Sequence, residues 1–134
     1  MLETIEFEPE SELVFIGEEA FNSCQIKKII IPKHVKQICN RAFKNCSNLE
    51  KIEFEPDSEL VFIGKKIIGC CPIESISIPK HVKEIYRYAF YYSNLKTIKF
   101  SADSELKIIE KHAFQNSSIE SISIPKHVTR IELS

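Results

Sequence analysis

Only three glycines occur in the 134 residues, too few to build a glycine-rich phosphate cradle. There is also no nucleophile elbow and no histidine–carboxylate pair at helical spacing. The common catalytic signatures are therefore excluded, and no catalytic residue, cofactor or bound metal is expected. Charge of one sign is likewise missing. With 18 basic against 19 acidic residues the formal charge is -1, which gives no electrostatic hold on a polyanion, so nucleic acid is not an expected partner. No apolar run approaches the roughly 20 residues of a membrane span. The opening MLETIEFEPESEL carries charges where a secretory signal would carry an apolar core, so no signal is expected in the chain as written. Five cysteines is an odd number, and the one close pair, Cys70-Cys71, lacks zinc or redox spacing. Free, partly buried thiols are expected in place of a disulfide framework.

What is present is enough for one folded unit over residues 1–134. The chain is 43% apolar and 28% charged, close to the globular average, and of a length that suits a single core. Its organising feature is an internal repeat. LETIEFEPESELVFIG from Leu2 returns as LEKIEFEPDSELVFIG from Leu49, and more loosely as LKTIKFSADSELKIIE from Leu95. Shorter coils alternate with these, opening IKKIIIPKHVKQI at Ile26, IESISIPKHVKEI at Ile73 and IESISIPKHVTRI at Ile119. The coils span approximately 2–25, 26–48, 49–72, 73–94, 95–118 and 119–134.

Each coil opens on the same apolar frame, such as Leu2, Ile5, Phe7 or Ile26, Ile29, Ile31. Its period-two, β-branched and aromatic ending predicts a half-buried strand. Strands that recur once per coil stack in parallel, roughly 4.8 Å apart. Pro32, Pro79 and Pro125 in short coils, and Pro9 and Pro56 in long ones, mark the turn that follows. The chain then returns through an apolar residue, an isoleucine and an Ala-Phe pair. Phe21, Phe43, Phe90 and Phe114 are expected to form a buried spine. The third coil puts Ile67-Ile68 in place of Ala-Phe and should pack less regularly.

These residues resemble the BspA-like, treponemal-type leucine-rich repeat, L-x-x-I-x-I-P-x-x-V-x-x-I-G-x-x-A-F-x-x-C. The second coil carries the fullest match in Ile26, Ile29, Ile31, Pro32, Val35, Ile38, Ala42, Phe43 and Cys46, with Cys39 where glycine is usual. The resemblance implies a leucine-rich-repeat solenoid, a right-handed coil. It implies a parallel sheet of about six strands on the concave face and irregular or short 3-10 or helical return segments. It further implies a cell-surface or extracellular adhesion protein that binds host matrix or cell-surface proteins without catalysis. The pattern starts at Leu2 inside a strand and stops at Ser134 before an Ala-Phe pair. Solenoids normally cap their end coils, so the alternative is a structural segment of a longer solenoid, or self-association into a homo-oligomer through uncapped ends.

Two surfaces are candidate binding sites. The concave row comprises Thr4, Glu6, Lys28, Ile30, Lys51, Glu53, Ser75, Ser77, Thr97, Lys99, Ser121 and Ser123, on the face solenoids commonly use. It has no aromatic anchor. The second is an aromatic patch in YRYAFYY of the fourth coil, Tyr86, Tyr88, Tyr91 and Tyr92, expected to be exposed and of the residue type enriched in interface hot spots. Phe15, Phe62 and Ile108 form a further apolar ridge that is read either as exposed surface or as extra core. His34, His81 and His127 superpose in the three short coils roughly 10 Å apart, too far to share one ion, and are expected to be solvated. Acidic long-coil turns (Glu8, Glu10, Glu12; Glu55, Asp57, Glu59; Asp103, Glu105) alternate with Lys33, Lys36, Lys80, Lys83 and Lys126, which predicts cross-coil ion pairs and disfavours a calcium site. Asn45-Cys46-Ser47 and Asn116-Ser117-Ser118 match the N-glycosylation pattern, which matters only if the chain is secreted; a chance match is expected.

Overall fold

A computed structural model describes residues 3–132. Leu2 and Ser134, expected in the first strand and at the end of the last coil, lie outside the described residues. The chain forms a parallel β-solenoid of about 5 turns, with no helix among the described residues. Its strands in chain order are β1 (Phe15–Ile16), β2 (Lys28–Ile31), β3 (Gln37–Ile38), β4 (Lys51–Phe54), β5 (Phe62–Ile63), β6 (Ser75–Ile78), β7 (Glu84–Ile85), β8 (Thr97–Phe100), β9 (Ile108–Ile109) and β10 (Arg130–Ile131).

The four-residue strands β2, β4, β6 and β8 make the strand face, and the two-residue strands make the return face. On the strand face β2 pairs with β4, Lys28 opposite Lys51, and β6 pairs with β8, Ser75 opposite Thr97. In place of the expected six-strand ladder, the described residues form four strands on this face in two separate pairs. A split falls wherever a long coil is followed by a short one, and proline accounts for it. Glu55 N–H donates to Ile31 O of the preceding short coil at 3.1 Å. Short coils have Pro32, Pro79 or Pro125 at that position, and proline has no N–H to give the long coil before it. The return face pairs as β1-β3-β5 and as β7-β9-β10, so the return segments are short bridges joined by turns.

The half-turn closing each coil uses left-handed backbone at two positions four residues apart: Glu19 and Ser23, Arg41 and Asn45, Lys66 and Cys70, Tyr88 and Tyr92, His112 and Asn116. This geometry turns amides toward the next coil: Glu19 N–H donates to Asn40 O at 3.0 Å, and Ser23 N–H to Lys44 O at 2.9 Å. None of these ten residues is glycine, so each carries the cost of a Cβ in the left-handed region, on the order of 1–2 kcal/mol. The ladder of forward hydrogen bonds sustains that conformation.

Inside, one core runs the length of the stack. Ile29, Ile52, Ile76 and Ile98 from the strand face meet Ile16, Ile38, Ile63, Ile85 and Ile109 from the return face, all buried. The expected phenylalanine spine is two stacked pairs, Phe21 on Phe43 at 5.5 Å and Phe90 on Phe114 at 5.9 Å. Phe43 and Phe90 are fully buried, while Phe21 and Phe114 are partly exposed. Between the pairs stands buried Ile68 of the third coil, the irregularity expected there.

Candidate binding surface

The strand face presents the concave row because alternate residues of each strand point away from the core. Thr4, Glu6, Lys28, Ile30, Lys51, Ser75, Ser77, Thr97, Lys99, Ser121 and Ser123 are exposed, and Glu53 is half-buried. Glu53 is the charge hub. It takes Lys51 at 2.8 Å and Lys28 at 3.4 Å, and the hydrogen bond from Lys51, then that from Lys28, hold its carboxyl below the usual carboxylate range. Ile30 is 44% exposed, an apolar residue standing among polar ones. The splits between strand pairs open as broad hollows. One of about 1130 Å³ lies over β4 and β6, lined in part by Lys51, Glu53, Ser75, Ser77, Lys99 and Phe100. Another of about 1030 Å³ lies between residues 3–7 and β2.

The acidic and basic turns interleave as expected, with a difference in which groups meet. Lys80 reaches Asp103 at 3.4 Å, and Ser101 first and Lys80 second hold the Asp103 carboxyl below its ordinary value. Lys33 contributes through its backbone, whose N–H donates to the Glu55 carboxylate at 3.0 Å. The histidines carry the rest. His34 meets Glu59, and His81 meets Glu105 at 2.6 Å. They are bridges from a short coil to the next long coil, where free solvation was expected. Among the described residues no group of three or more His, Cys, Asp or Glu side chains is gathered to hold a metal.

The aromatic patch is assembled by the fourth half-turn and is less exposed than expected. Tyr92 is 58% exposed, but Tyr86, Tyr88 and Tyr91 are half-buried because they pack on other rings. Tyr86 lies 5.2 Å from Phe62, Tyr88 stacks on His112 at 5.4 Å, and Tyr91 contacts Tyr88 edge-on at 5.5 Å. Lys66 Nζ sits 4.9 Å above the Tyr91 ring, a cation–π brace from the third coil. The ridge Phe15, Phe62 and Ile108 lies on the outer side of the return strands. Phe15 is 53% exposed and the other two are half-buried, so it is surface. Nearby, Glu84 and Glu110 from adjacent coils share a hydrogen bond. Burial, then the bond to Glu110, pushes the Glu84 carboxyl up, while the N–H of Arg87 at 2.9 Å holds that of Glu110 down.

One feature escapes a reading along the chain because it appears only across coils. Cys24, Cys46 and Cys71 occupy the same place in successive half-turns, followed by Ser93 and Ser117. The Cys46 thiol donates to Phe21 O and the Cys71 thiol to Phe43 O, each at 2.9 Å. The bond to Cys71 lowers the Cys46 thiol, while that same contact and burial raise the Cys71 thiol. Buried Ser93 has no partner for its hydroxyl. All five cysteines are free.

Comparison with known proteins agrees with this architecture. The BspA type leucine rich repeat region matches residues 14–134 in 6 copies. Among solved structures, the pneumococcal vaccine antigen PcpA superposes over 90% of this chain with a TM-score of 0.80 and 26% identity. A leucine rich cell surface protein of Faecalibacterium prausnitzii A2-165 superposes over 90% with a TM-score of 0.56 and 23% identity, a likeness of fold. The chain spans 32% and 39% of those two proteins. No curated protein sequence matches significantly. With the family's repeat running through nearly its whole length, the chain belongs to the BspA-type leucine-rich-repeat family.

Proposed function

We propose that the chain is a non-catalytic protein-binding module of the adhesion type, working at a cell surface through its strand face. The observation that carries this reading is the exposed polar row over the 1130 Å³ hollow. Ser75, Ser77 and Lys99 line that hollow with exposed side chains, Ser77 beside Lys99 at one-strand spacing, so they offer hydroxyl and ammonium groups to a partner. A protein of the host matrix or cell surface suits a row of mixed charge and hydroxyls, since it offers polar rim contacts and little need for desolvated charge. The cell-surface location rests on the family and on the neighbour described as a cell surface protein. The tyrosine patch is the competing face. The test is solid-phase binding to a panel of extracellular-matrix proteins with two variants, Ser75→Arg with Ser77→Arg, and Tyr91→Ala with Tyr92→Ala. Loss of binding in the first pair alone supports the strand face. Loss in the second alone moves the site to the tyrosines, and failure of the unmodified chain to bind any member refutes the reading.

A second reading has its own observation. Ile124 and Ile131 of the last coil are 39% and 43% exposed, whereas their counterparts Ile78 and Ile85 are 2% and 0%. A second copy's first coil, being long, would meet this short coil at the type of junction that pairs, with His127 facing Glu12 and Lys126 facing Glu10 of that copy. Light scattering across a concentration series checks it: a mass that climbs with concentration and falls back on Lys126→Glu supports head-to-tail stacking. A constant 15.5 kDa rejects it.

A further inference from the structure

Three ladders run along the stack, and all three are disturbed at one place, the junction of the third and fourth coils. On the strand face β4 and β6 belong to different sheets, and on the return face so do β5 and β7. At the junctions on either side the return face is intact: Val61 N–H donates to Lys36 O at 3.0 Å and Lys107 N–H to Lys83 O at 2.8 Å. The half-turn ladder does cross, but it slips by one residue. In the preceding step Arg41 and Asn45 donate to Lys65 and Gly69. Counting coil for coil, Lys66 and Cys70 should donate to Arg87 and Tyr91, and they donate instead to Tyr88 at 2.8 Å and Tyr92 at 3.1 Å. The next step, Phe90 to Ala113 and Tyr92 to Gln115, is regular again.

The sequence supplies two local causes. Pro79 cannot donate to the third coil, and Ile67-Ile68, both buried, fill the half-turn where other coils have Ala-Phe. The core is continuous across the junction, but the directional contacts that span it are concentrated at the half-turn flank: the slipped hydrogen bonds, Asn94 Nδ2–H donating to Cys71 O at 2.7 Å, and Lys66 over Tyr91. The return face contributes a ring contact, Phe62 on Tyr86, which can slide without breaking a directional bond. The 1130 Å³ hollow opens on the strand face of this same junction.

We propose that the junction of the third and fourth coils is a hinge: two three-coil halves rock about the half-turn flank and so widen or narrow the hollow on the strand face. Solenoid repeats touch only their neighbours, so one weak junction sets the compliance of the whole stack. The hinge is a property of the free chain and stands whether or not the strand face is the binding surface.

Amide hydrogen exchange followed by NMR on the unmodified chain tests it. The Lys83 and Ser77 amides should exchange at least about tenfold faster than their counterparts, Val61 and Lys107 on the return face and Glu53 and Lys99 on the strand face. In Ile67→Ala with Ile68→Phe, which restores the repeat, the Lys83 difference should shrink to about threefold or less. Where that double variant does not fold, 15N relaxation dispersion on the unmodified chain decides. Microsecond-to-millisecond exchange confined to residues 72–79 and 83–88 supports the hinge, and a flat profile there overturns it. Lys83 protection equal to that of Val61 and Lys107 overturns it, as does a folded double variant with the difference unchanged.

Discussion

Adding one methyl group at Gly64 should destabilise the chain, and adding it at Gly17, the same place in the repeat, should not. A Cβ on Gly64 would lie 2.6 Å from Asn40 N, 2.7 Å from Asn40 Oδ1 and 2.7 Å from the Cys39 carbonyl carbon. Two of these are or adjoin backbone that cannot step aside: Cys39 N–H is bound to Ile16 O at 2.9 Å and Gly64 N–H to Ile38 O at 2.8 Å. Relief would come by spreading the second and third coils, which also strains the bond from Lys65 N–H to Asn40 Oδ1 at 2.9 Å. Overpacking of this kind costs about 1–3 kcal/mol, and losing the Asn40 bond adds about 1 kcal/mol. The stiffer unfolded chain returns about 0.4–1 kcal/mol. The net is about 1–3.5 kcal/mol, or roughly 4–13 °C in thermal midpoint for a domain of this size. On Gly17 the same methyl would meet only the Phe15 ring, at 3.4 Å, and that exposed side chain can turn away. Circular dichroism melts of Gly64→Ala and Gly17→Ala make the comparison. Equal shifts, or an unchanged midpoint for Gly64→Ala, would refute the close packing of the second and third coils.

Three further outcomes are expected. Ser93→Cys should raise the midpoint, since a thiol there extends the ladder of Cys46 and Cys71 and removes the orphaned hydroxyl; a fall in the midpoint would contradict that ladder. Tyr92→Asn should stabilise by about 1 kcal/mol, because asparagine tolerates the left-handed backbone (φ 59°) better than tyrosine does, and denaturant titration measures it. Glu84 has a folded-state pKa above its unfolded value, so its contribution is fully present below the unfolded pKa and is lost as pH rises through the folded one. Glu84→Gln should therefore raise the midpoint at pH 7 relative to the unmodified chain, with the advantage vanishing near pH 4; an advantage independent of pH would assign it to packing.

The coil frame was readable in the sequence because each apolar position serves one purpose in every coil, and six registers in phase leave no second fold that buries them. What single-chain spacing could not show lies between coils. The prolines read as turn markers, yet their larger effect is to withhold an N–H from the long coil before them, which breaks the strand face into pairs. The histidines looked solvated because their partners, Glu59 and Glu105, stand more than twenty residues away along the chain but one coil away in space. The tyrosines stood opposite polar residues of other coils and so read as exposed, whereas aromatic rings in adjacent positions bury one another. Cys24, Cys46 and Cys71 became a ladder only once the coils were laid one upon the next.

The most direct test of the strand face as a partner surface is saturable binding of the fluorescently labelled chain to host epithelial cells, competed by unlabelled protein. Unmodified protein should displace the label, and Ser75→Arg with Ser77→Arg should fail to displace it while keeping the unmodified thermal midpoint. Displacement by that variant as effective as by the unmodified chain, or labelling that never saturates, would contradict the account.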